Sequence, residues 1–401
     1  MTLKQILKKV LIKCVPIKKN RIVFSSFNGH YSDNPKYISE SFHSLYPEIE
    51  IVWLLDDAHF EAAPSYVKKV KVDSFFSFIY EGSAIAIVDN VYGNRSVELI
   101  NRKWSSKFKF NIISFFNKKK GQKIFTTWHG TPLKRMGRDQ INTSIIDFDC
   151  PNTTMILGNQ FTIDIMKHLS FGKIKMELIG TPRNDILFDH SVKRTDEIRK
   201  KLNLPSEKKI ILFAPTFRTN SSSTLDRNIQ RSGIEQLKSI CLDQLFEVLS
   251  EKFGGDWVMV CRFHYHVEEL VEWRRLNEKY SEKIINGNLF DDMSEYMYCS
   301  DILLTDASSC MFDFSLTQKP CFLFFPDVKH YESEERGFYM AIEELPFSLS
   351  KNSNELLDNI KTFDWLVYKS ATAHICKKIN VVDQANSSEK VTHFISSKIR
   401  N

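Results

Sequence analysis

Short β-branched runs alternate with helix-patterned segments along this chain, and the alternation occurs twice. Parallel strands joined by helical crossovers produce that pattern, so the expected class is α/β with helices on both faces of each sheet. In the first half the expected strands are Arg21 to Ser26, Ile49 to Leu55, Ala84 to Asp89, Ile124 to Trp128, Thr154 to Leu157 and Lys175 to Ile179. Helices are expected over Pro35 to Tyr46, with Pro35 at a first helical position, and over Gln160 to His168. In the second half the strands are Lys209 to Ala214, Trp257 to Arg262, Asp301 to Thr305 and Pro320 to Phe325. Helices near Glu235 to Lys252, Val267 to Lys279 and Ser309 to Leu316 separate them, and further helices are expected after Leu356.

At 401 residues the chain exceeds one ordinary domain of about 150 residues. Two domains, 1–190 and 191–401, are expected, with the boundary in the charged Asp189 to Ser206 stretch. A hydrophobic fraction of 42% with 31 Phe supplies a core for each, which excludes disorder. No apolar run approaches the roughly 18 residues of a membrane span, and lysines interrupt Met1 to Lys19 too often for a signal peptide, so a cytoplasmic protein is expected. The eight cysteines include no Cys-x-x-Cys pair, which points to reduced thiols and no structural zinc.

The Ile124 to Trp128 run leads into Trp128-His129-Gly130-Thr131-Pro132-Leu133-Lys134. A histidine at a strand end exchanges a proton near neutral pH, Gly130 lets backbone approach a ligand, and Pro132 stiffens the exit. The plainer alternative is a satisfied histidine at a strand end. In the second half, Ile302-Leu303-Leu304 ends in Thr305-Asp306-Ala307-Ser308-Ser309, where Ser308 or Ser309 would start and cap a helix whose N-terminus attracts phosphate. A plain cap is the alternative, but ligands of open α/β sheets bind beyond the carboxyl ends of strands, where this turn lies. Arg262 and His264 end another strand on one face and together suit a pyrophosphate, unless Glu268 or Glu269 pairs with the arginine. Pro215 and Thr216 close a strand at the same edge, and Arg183 follows the last strand of the first half; an interdomain cleft is where both would face.

Five segments in fixed order carry a family resemblance: Trp128-His129-Gly130-Thr131-Pro132, Gly180-Thr181-Pro182-Arg183-Asn184-Asp185, Phe213-Ala214-Pro215-Thr216-Phe217-Arg218, Arg262-Phe263-His264, and Thr305 to Asp313. With Arg336-Gly337-Phe338-Tyr339 they resemble the CDP-glycerol glycerophosphotransferases, which build poly(glycerol phosphate) teichoic acids and related capsule polymers. The resemblance runs from about Phe24 to Tyr339 and implies a GT-B-like fold, two Rossmann-like domains facing a cleft, with terminal helices able to return to the first domain. It implies CDP-glycerol as donor, attack of an acceptor hydroxyl on its β-phosphorus and release of CMP, with His129 as general base. Arg262, His264, Ser308 and Ser309 would meet the charge on the leaving group, and Asp313 would help hold the donor. Gly130, Thr131, Pro132, Leu133, Arg183, Pro215, Thr216, Phe263 and Arg336 enter as substrate-binding positions on the same ground. Two departures stand out: Tyr265 follows His264 where the family has proline, leaving His266 as a rival, and Ala307 replaces a tyrosine. CDP-ribitol is the nearest alternative donor; a GT-B glycosyltransferase and a non-enzymatic membrane scaffold are the other readings.

The net charge of +6 is unevenly spread. Between Asn101 and Lys123 lie Arg102, Lys103, Lys107, Lys109, Lys118, Lys119, Lys120 and Lys123 with five interleaved aromatics and no acid, and residues 1–21 repeat the theme. Basic residues with interfacial aromatics predict a peripheral, monotopic protein on an anionic membrane surface, at the cytoplasmic face, next to a lipid-linked acceptor. A solvated loop and a nucleic-acid patch are the alternatives, and no nucleic-acid module is visible. No Asp cluster with metal-ligand spacing appears, so neither a tightly bound metal nor a tightly bound cofactor is expected. The polar Asn220 to Ser232 stretch is read as a loop beside the site.

Overall fold

The computed structural model describes residues 12, 14–27, 29–91, 121–140, 153–171, 174–216, 233–263, 271–335 and 337–400. The basic run 101–120, the first eleven residues, His264, His266, Arg336 and the 220–232 stretch lie outside them. The chain divides into two compact units, the first made of Met1–His129, Asp147–Asp185 and Val381–Asn401, the second of Gly130–Ile146 and Ile186–Asn380. The boundary expected at 190/191 falls at 185/186, and 130–146 belongs to the second unit; from Val381 the chain returns to the first.

The first unit is built on β1 (Lys18–Phe24), β2 (Glu50–Leu55), β3 (Lys68–Lys71), β4 (Ala84–Asp89), β5 (Lys123–Thr126), β6 (Thr153–Leu157) and β7 (Lys175–Leu178). They form one sheet in the order β3-β2-β1-β4-β5-β6-β7, with parallel pairing throughout. Both faces are covered, which is why the central strands are apolar at successive positions. On one face Ile22, Phe24, Trp53 and Phe125 pack with Ile38 and Phe42 of the Asp33–Leu45 helix and with Val391 and Ile395 of the Ser387–Arg400 helix. On the other face Val23, Val52, Leu54, Val70 and Ala84 form a second cluster. The first of these helices starts at Asp33, two residues ahead of the expected start, so Pro35 is its third residue.

The second unit repeats the plan with β8 (Lys209–Ala214), β9 (Trp257–Cys261), β10 (Ile284–Asn286), β11 (Ile302–Thr305), β12 (Cys321–Phe324) and β13 (Ser348–Ser350). Their order is β10-β9-β8-β11-β12-β13, again all parallel. Both orders reverse direction once, beside β1 and β4 in the first sheet and beside β8 and β11 in the second. Such a switch point opens a crevice at the carboxyl ends of the strands. The helix expected over Glu235 to Lys252 is interrupted at 239–241 and resumes as Leu242–Phe253. The Ser353–Lys361 and Trp365–Lys378 helices belong to this unit, and the Ser387–Arg400 helix to the first.

Asp185 fastens that last helix. Its carboxylate accepts the first N–H groups of the helix, from Ser387 at 2.8 Å and Ser388 at 2.7 Å. Gly180, at φ +144°, lets the chain pass: a Cβ there would lie 2.5 Å from the Ser387 hydroxyl. Burial raises the Asp185 carboxyl above its ordinary value, and the serine hydrogen bonds only partly offset this. Asp185→Ala should strip the helix of its external cap and cost about 0.5–2 kcal/mol, the range for loss of a capping carboxylate. Urea unfolding measures it, and an unchanged midpoint would show that apolar packing alone holds the helix.

Candidate functional site

In the first unit the polar groups gather where β1, β4 and β5 end. Trp128 takes a left-handed conformation at φ +55°, unusual for a bulky residue, and Gly130 follows at φ +143°. His129, between them, turns Nδ1 onto the Asn90 carbonyl at 3.1 Å. A carbonyl only accepts, so Nδ1 carries the proton and Nε2 is the ring nitrogen with the lone pair. The ring lies against Trp128 at 4.3 Å and meets Phe27 edge-on at 5.8 Å. That geometry holds the imidazole ring in one orientation at the strand edge.

Residues far away in sequence hold the turn. Asn34 donates to the Trp128 carbonyl at 3.2 Å and accepts from the Arg183 backbone N–H at 3.0 Å. The Arg183 guanidinium pairs with Asp33 at 2.5 Å, both side chains being 8% exposed. Asn184 and the Thr181 backbone bind Asp383 at 2.9 and 2.6 Å. The segment 180–185 is thus a junction, and the expectation that Arg183 faces a cleft is corrected: burial and an acidic partner 150 residues away in sequence turn it inward.

In the second unit the switch point between β8 and β11 is closed by Asp306, which is fully buried. One carboxylate oxygen accepts from the Thr216 backbone at 2.7 Å and its hydroxyl at 2.5 Å, the other from Gln236 at 3.2 Å. Pro215 and Thr216, half-buried, therefore sit directly at the crevice. Ser308 and Ser309 follow Asp306 closely, but the helix begins at Cys310 and the hydroxyl of Ser309, at its N-cap position, does not cap it. Ser309 is already helical, at φ −62° and ψ −16°, so its side chain lacks the extended geometry from which a cap reaches forward. Asp313 is 5% exposed, which excludes an ordinary surface acid.

Arg262 also departs from expectation. Its guanidinium donates to the carbonyls of Gly287 and Phe290 at 2.7 and 2.6 Å and of Asp291 at 2.5 Å, and lies 5.2 Å from the Tyr296 ring centroid. Desolvation lowers it from its ordinary value, while Tyr296, Asp291 and Asp292 push it back up. The arginine shapes the 287–291 loop, its terminal nitrogens donating to backbone oxygens. Phe263 is buried between Phe213 at 5.9 Å and Trp273 at 5.1 Å, a packing role in place of the expected substrate contact.

Thr131, Pro132 and Leu133 are buried in the second unit, stitched to the segment after Arg336. Tyr339 N donates to the Leu133 carbonyl at 2.8 Å, Arg135 N to the Gly337 carbonyl at 3.1 Å, and the Tyr339 hydroxyl to Asp139 at 2.7 Å. Two sequence segments 200 residues apart thus form one piece of structure. Asn90, Asn34 and Asp306 went unnoticed as site residues in the sequence; each is a polar residue next to a strand or helix end, the one local signal available.

Two doubly wound parallel sheets, one ending in a histidine turn and the other in a polar switch point, define a doubly wound α/β protein. The sequence model described as CDP-Glycerol:Poly(glycerophosphate) glycerophosphotransferase matches residues 7–397, and the chain belongs to that family. A teichoic acid poly(glycerol phosphate) polymerase of Staphylococcus epidermidis is 29% identical over 96% of this chain and 51% of its own length. A teichoic acid glycerol-phosphate transferase of Staphylococcus aureus is 27% identical over 94% of this chain and 93% of its own. The chain thus spans about half the length of the first relative and of a Bacillus subtilis polymerase, 51% and 49%. A solved structure of the wall teichoic acid polymerase TagF, a His→Asn variant with CDPG, is 28% identical with a TM-score of 0.77, over 99% of this chain and 93% of that one.

Two substitutions test the scaffold. Arg183→Ala leaves Asp33 buried and unpaired and should cost about 3–5 kcal/mol in chemical denaturation; a loss below about 1 kcal/mol, the range of an exposed pair, would refute the buried-pair reading. Arg262→Lys should behave almost like Arg262→Ala in the thermal melt, because one ammonium cannot reproduce a planar fork aimed at three carbonyls. Full recovery by lysine would mean that charge alone matters there.

Proposed function

We propose that the protein transfers glycerol phosphate from CDP-glycerol to a hydroxyl of a lipid-linked acceptor, releasing CMP, in the assembly of teichoic acid or a related cell-surface polymer. The observation that carries the reading is the His129 ring, held with Nδ1 on the Asn90 carbonyl at the carboxyl edge of a parallel sheet. Family membership and the two glycerol-phosphate relatives support the donor.

In the reaction the acceptor oxygen forms a bond to the β-phosphorus while its proton passes to Nε2 of His129. The bond between that phosphorus and the bridging oxygen breaks, and its electron pair leaves with CMP. The donor belongs at the switch point of the second sheet, among Pro215, Thr216, Ser308, Ser309 and Asp313, with His264 and Arg336 assigned by their motifs. Arg262 contributes through the 287–291 loop it holds. The GT-B arrangement, two Rossmann-like units facing a cleft with base and donor on opposite sides, is part of this proposal and rests on the likeness to TagF. So is peripheral attachment to the cytoplasmic face of an anionic membrane through 1–21 and 101–123. No helix among the described residues is long and apolar enough to cross a membrane. Phe75 and Phe76 are 51% and 65% exposed at the start of the Phe75–Ser83 helix, and Gly82 of that helix packs against the Ile12 backbone, which favours an apolar surface beside the N-terminal segment.

The test is CMP release from CDP-glycerol with a lipid-linked acceptor, run beside CDP-ribitol and a nucleotide sugar. CDP-glycerol should be the productive donor, and His129→Ala should retain donor binding but lose at least about 10²-fold in turnover, as for a general base. Turnover near the parental rate in that variant would remove His129 from the chemistry, and turnover with only the sugar nucleotide would replace the proposed reaction.

A further inference from the structure

We infer that Asn90 is the positioning residue of the base: its main-chain carbonyl seats His129 and sets its tautomer, and its buried side chain, bonded to Phe27 and Ser26, holds that carbonyl in place without touching substrate. This rests on the reading of His129 as the proton acceptor. Asn90 follows β4 directly and is fully buried. It makes three directed contacts at the switch point. Its carbonyl accepts the His129 Nδ1–H at 3.1 Å, its Oδ1 accepts the Phe27 backbone N–H at 3.2 Å, and its Nδ2 donates to the Ser26 hydroxyl at 3.1 Å. The amide orientation is forced, because a backbone N–H only donates and so must meet Oδ1.

Phe27 is the second lever. It stands at φ +39°, a left-handed conformation uncommon for a large side chain, and the bond from its N–H to Asn90 helps hold it there. From that position its ring meets the His129 ring edge-on at 5.8 Å and 67°. One residue therefore supplies both constraints on the imidazole: its backbone carbonyl lies behind Nδ1, and its side chain anchors that backbone and the Phe27 ring edge. Ser26 extends the chain outward to Ser32 at 3.5 Å. Because the Asn90 carbonyl carries no formal charge, it fixes the nitrogen that keeps the proton with less bias toward the imidazolium than a carboxylate would give.

The experiment compares the full-length protein with Asn90→Ala, Asn90→Asp and His129→Ala, using CDP-glycerol and the lipid-linked acceptor, with ¹⁵N-labelled histidine observed by NMR. Asn90→Ala should lower kcat by about 10- to 100-fold, the scale of a small misplacement of a reacting group, with an unchanged KM for CDP-glycerol. Its His129 signals should move from the Nδ1–H tautomer toward a mixture. Asn90→Asp keeps the acceptor for Phe27 N–H and lets the Ser26 hydroxyl reverse, so it should restore the tautomer. If Asn90→Ala does not fold, the aspartate variant decides on tautomer alone, and a mixed tautomer there would overturn the inference. Full kcat and an unmixed tautomer in a folded Asn90→Ala would also overturn it, while an inactive His129→Ala would leave the base reading standing. An active His129→Ala would instead defeat the base reading itself.

Discussion

Every strand in both sheets runs parallel to its neighbours, so every strand delivers its carboxyl end to the same edge of its own sheet. That edge is where backbone ladders stop and polar groups lose their regular partners, and a buried group left without one costs about 1–3 kcal/mol. The turns after β1, β4 and β5 in the first unit and after β8, β9 and β11 in the second therefore have to bring their own hydrogen-bonding partners. Asn90, Asn34 and Asp306 are those partners, and Thr216 and His129 owe their places to them. At the switch points a crevice opens and side chains from separate strands already meet, which is where the proposed site lies.

Several motif residues that look like ligands are better understood as the framework of that edge. Arg183 and Arg262 both carry a charge that would suit a phosphate, yet one is committed to Asp33 and the other to three carbonyls. A guanidinium is favoured in such places because its planar fork satisfies several acceptors at once and loses its proton to nothing in the protein. The consequence for function is that positional accuracy and charge come from different residues. Arg183 is linked to the His129 turn through Asn34 and the Trp128 carbonyl, so its removal should disturb that turn.

The inner strands were legible because burial on both faces writes them as apolar runs, and β1, β4, β8, β9 and β11 fall within a few residues of their expected limits. The strands that escaped notice, β3, β10 and β13, all lie at sheet edges and have three or four residues each, too few for any period to register. The Phe75–Ser83 helix escaped for a different reason: its Phe-Phe-Ser-Phe-Ile-Tyr run gives no clear polar face. At the site, the histidine turn could be read because glycine and proline frame it. The fate of Arg183 could not, because Asp33 lies 150 residues away and no local pattern links them. Ser308 and Ser309 misled for a subtler reason, since capping depends on the backbone conformation of the serine and composition carries no trace of ψ −16°.

Two histidines on the first sheet's edge show how a partner selects a role. His59 binds Asp56 through Nδ1 at 2.6 Å and stacks on His30 at 4.0 Å, whereas His129 binds a backbone carbonyl through Nδ1 at 3.1 Å. A carboxylate partner orients an imidazole and also stabilises its charged form; a carbonyl orients it with far less bias toward charge. Under the proposed reaction, in which the ring takes a proton from a hydroxyl and gives it up in every cycle, the second arrangement serves better, because strong stabilisation of the imidazolium would retain the proton. The charge that a phosphoryl transfer develops then has to be met elsewhere, at the donor.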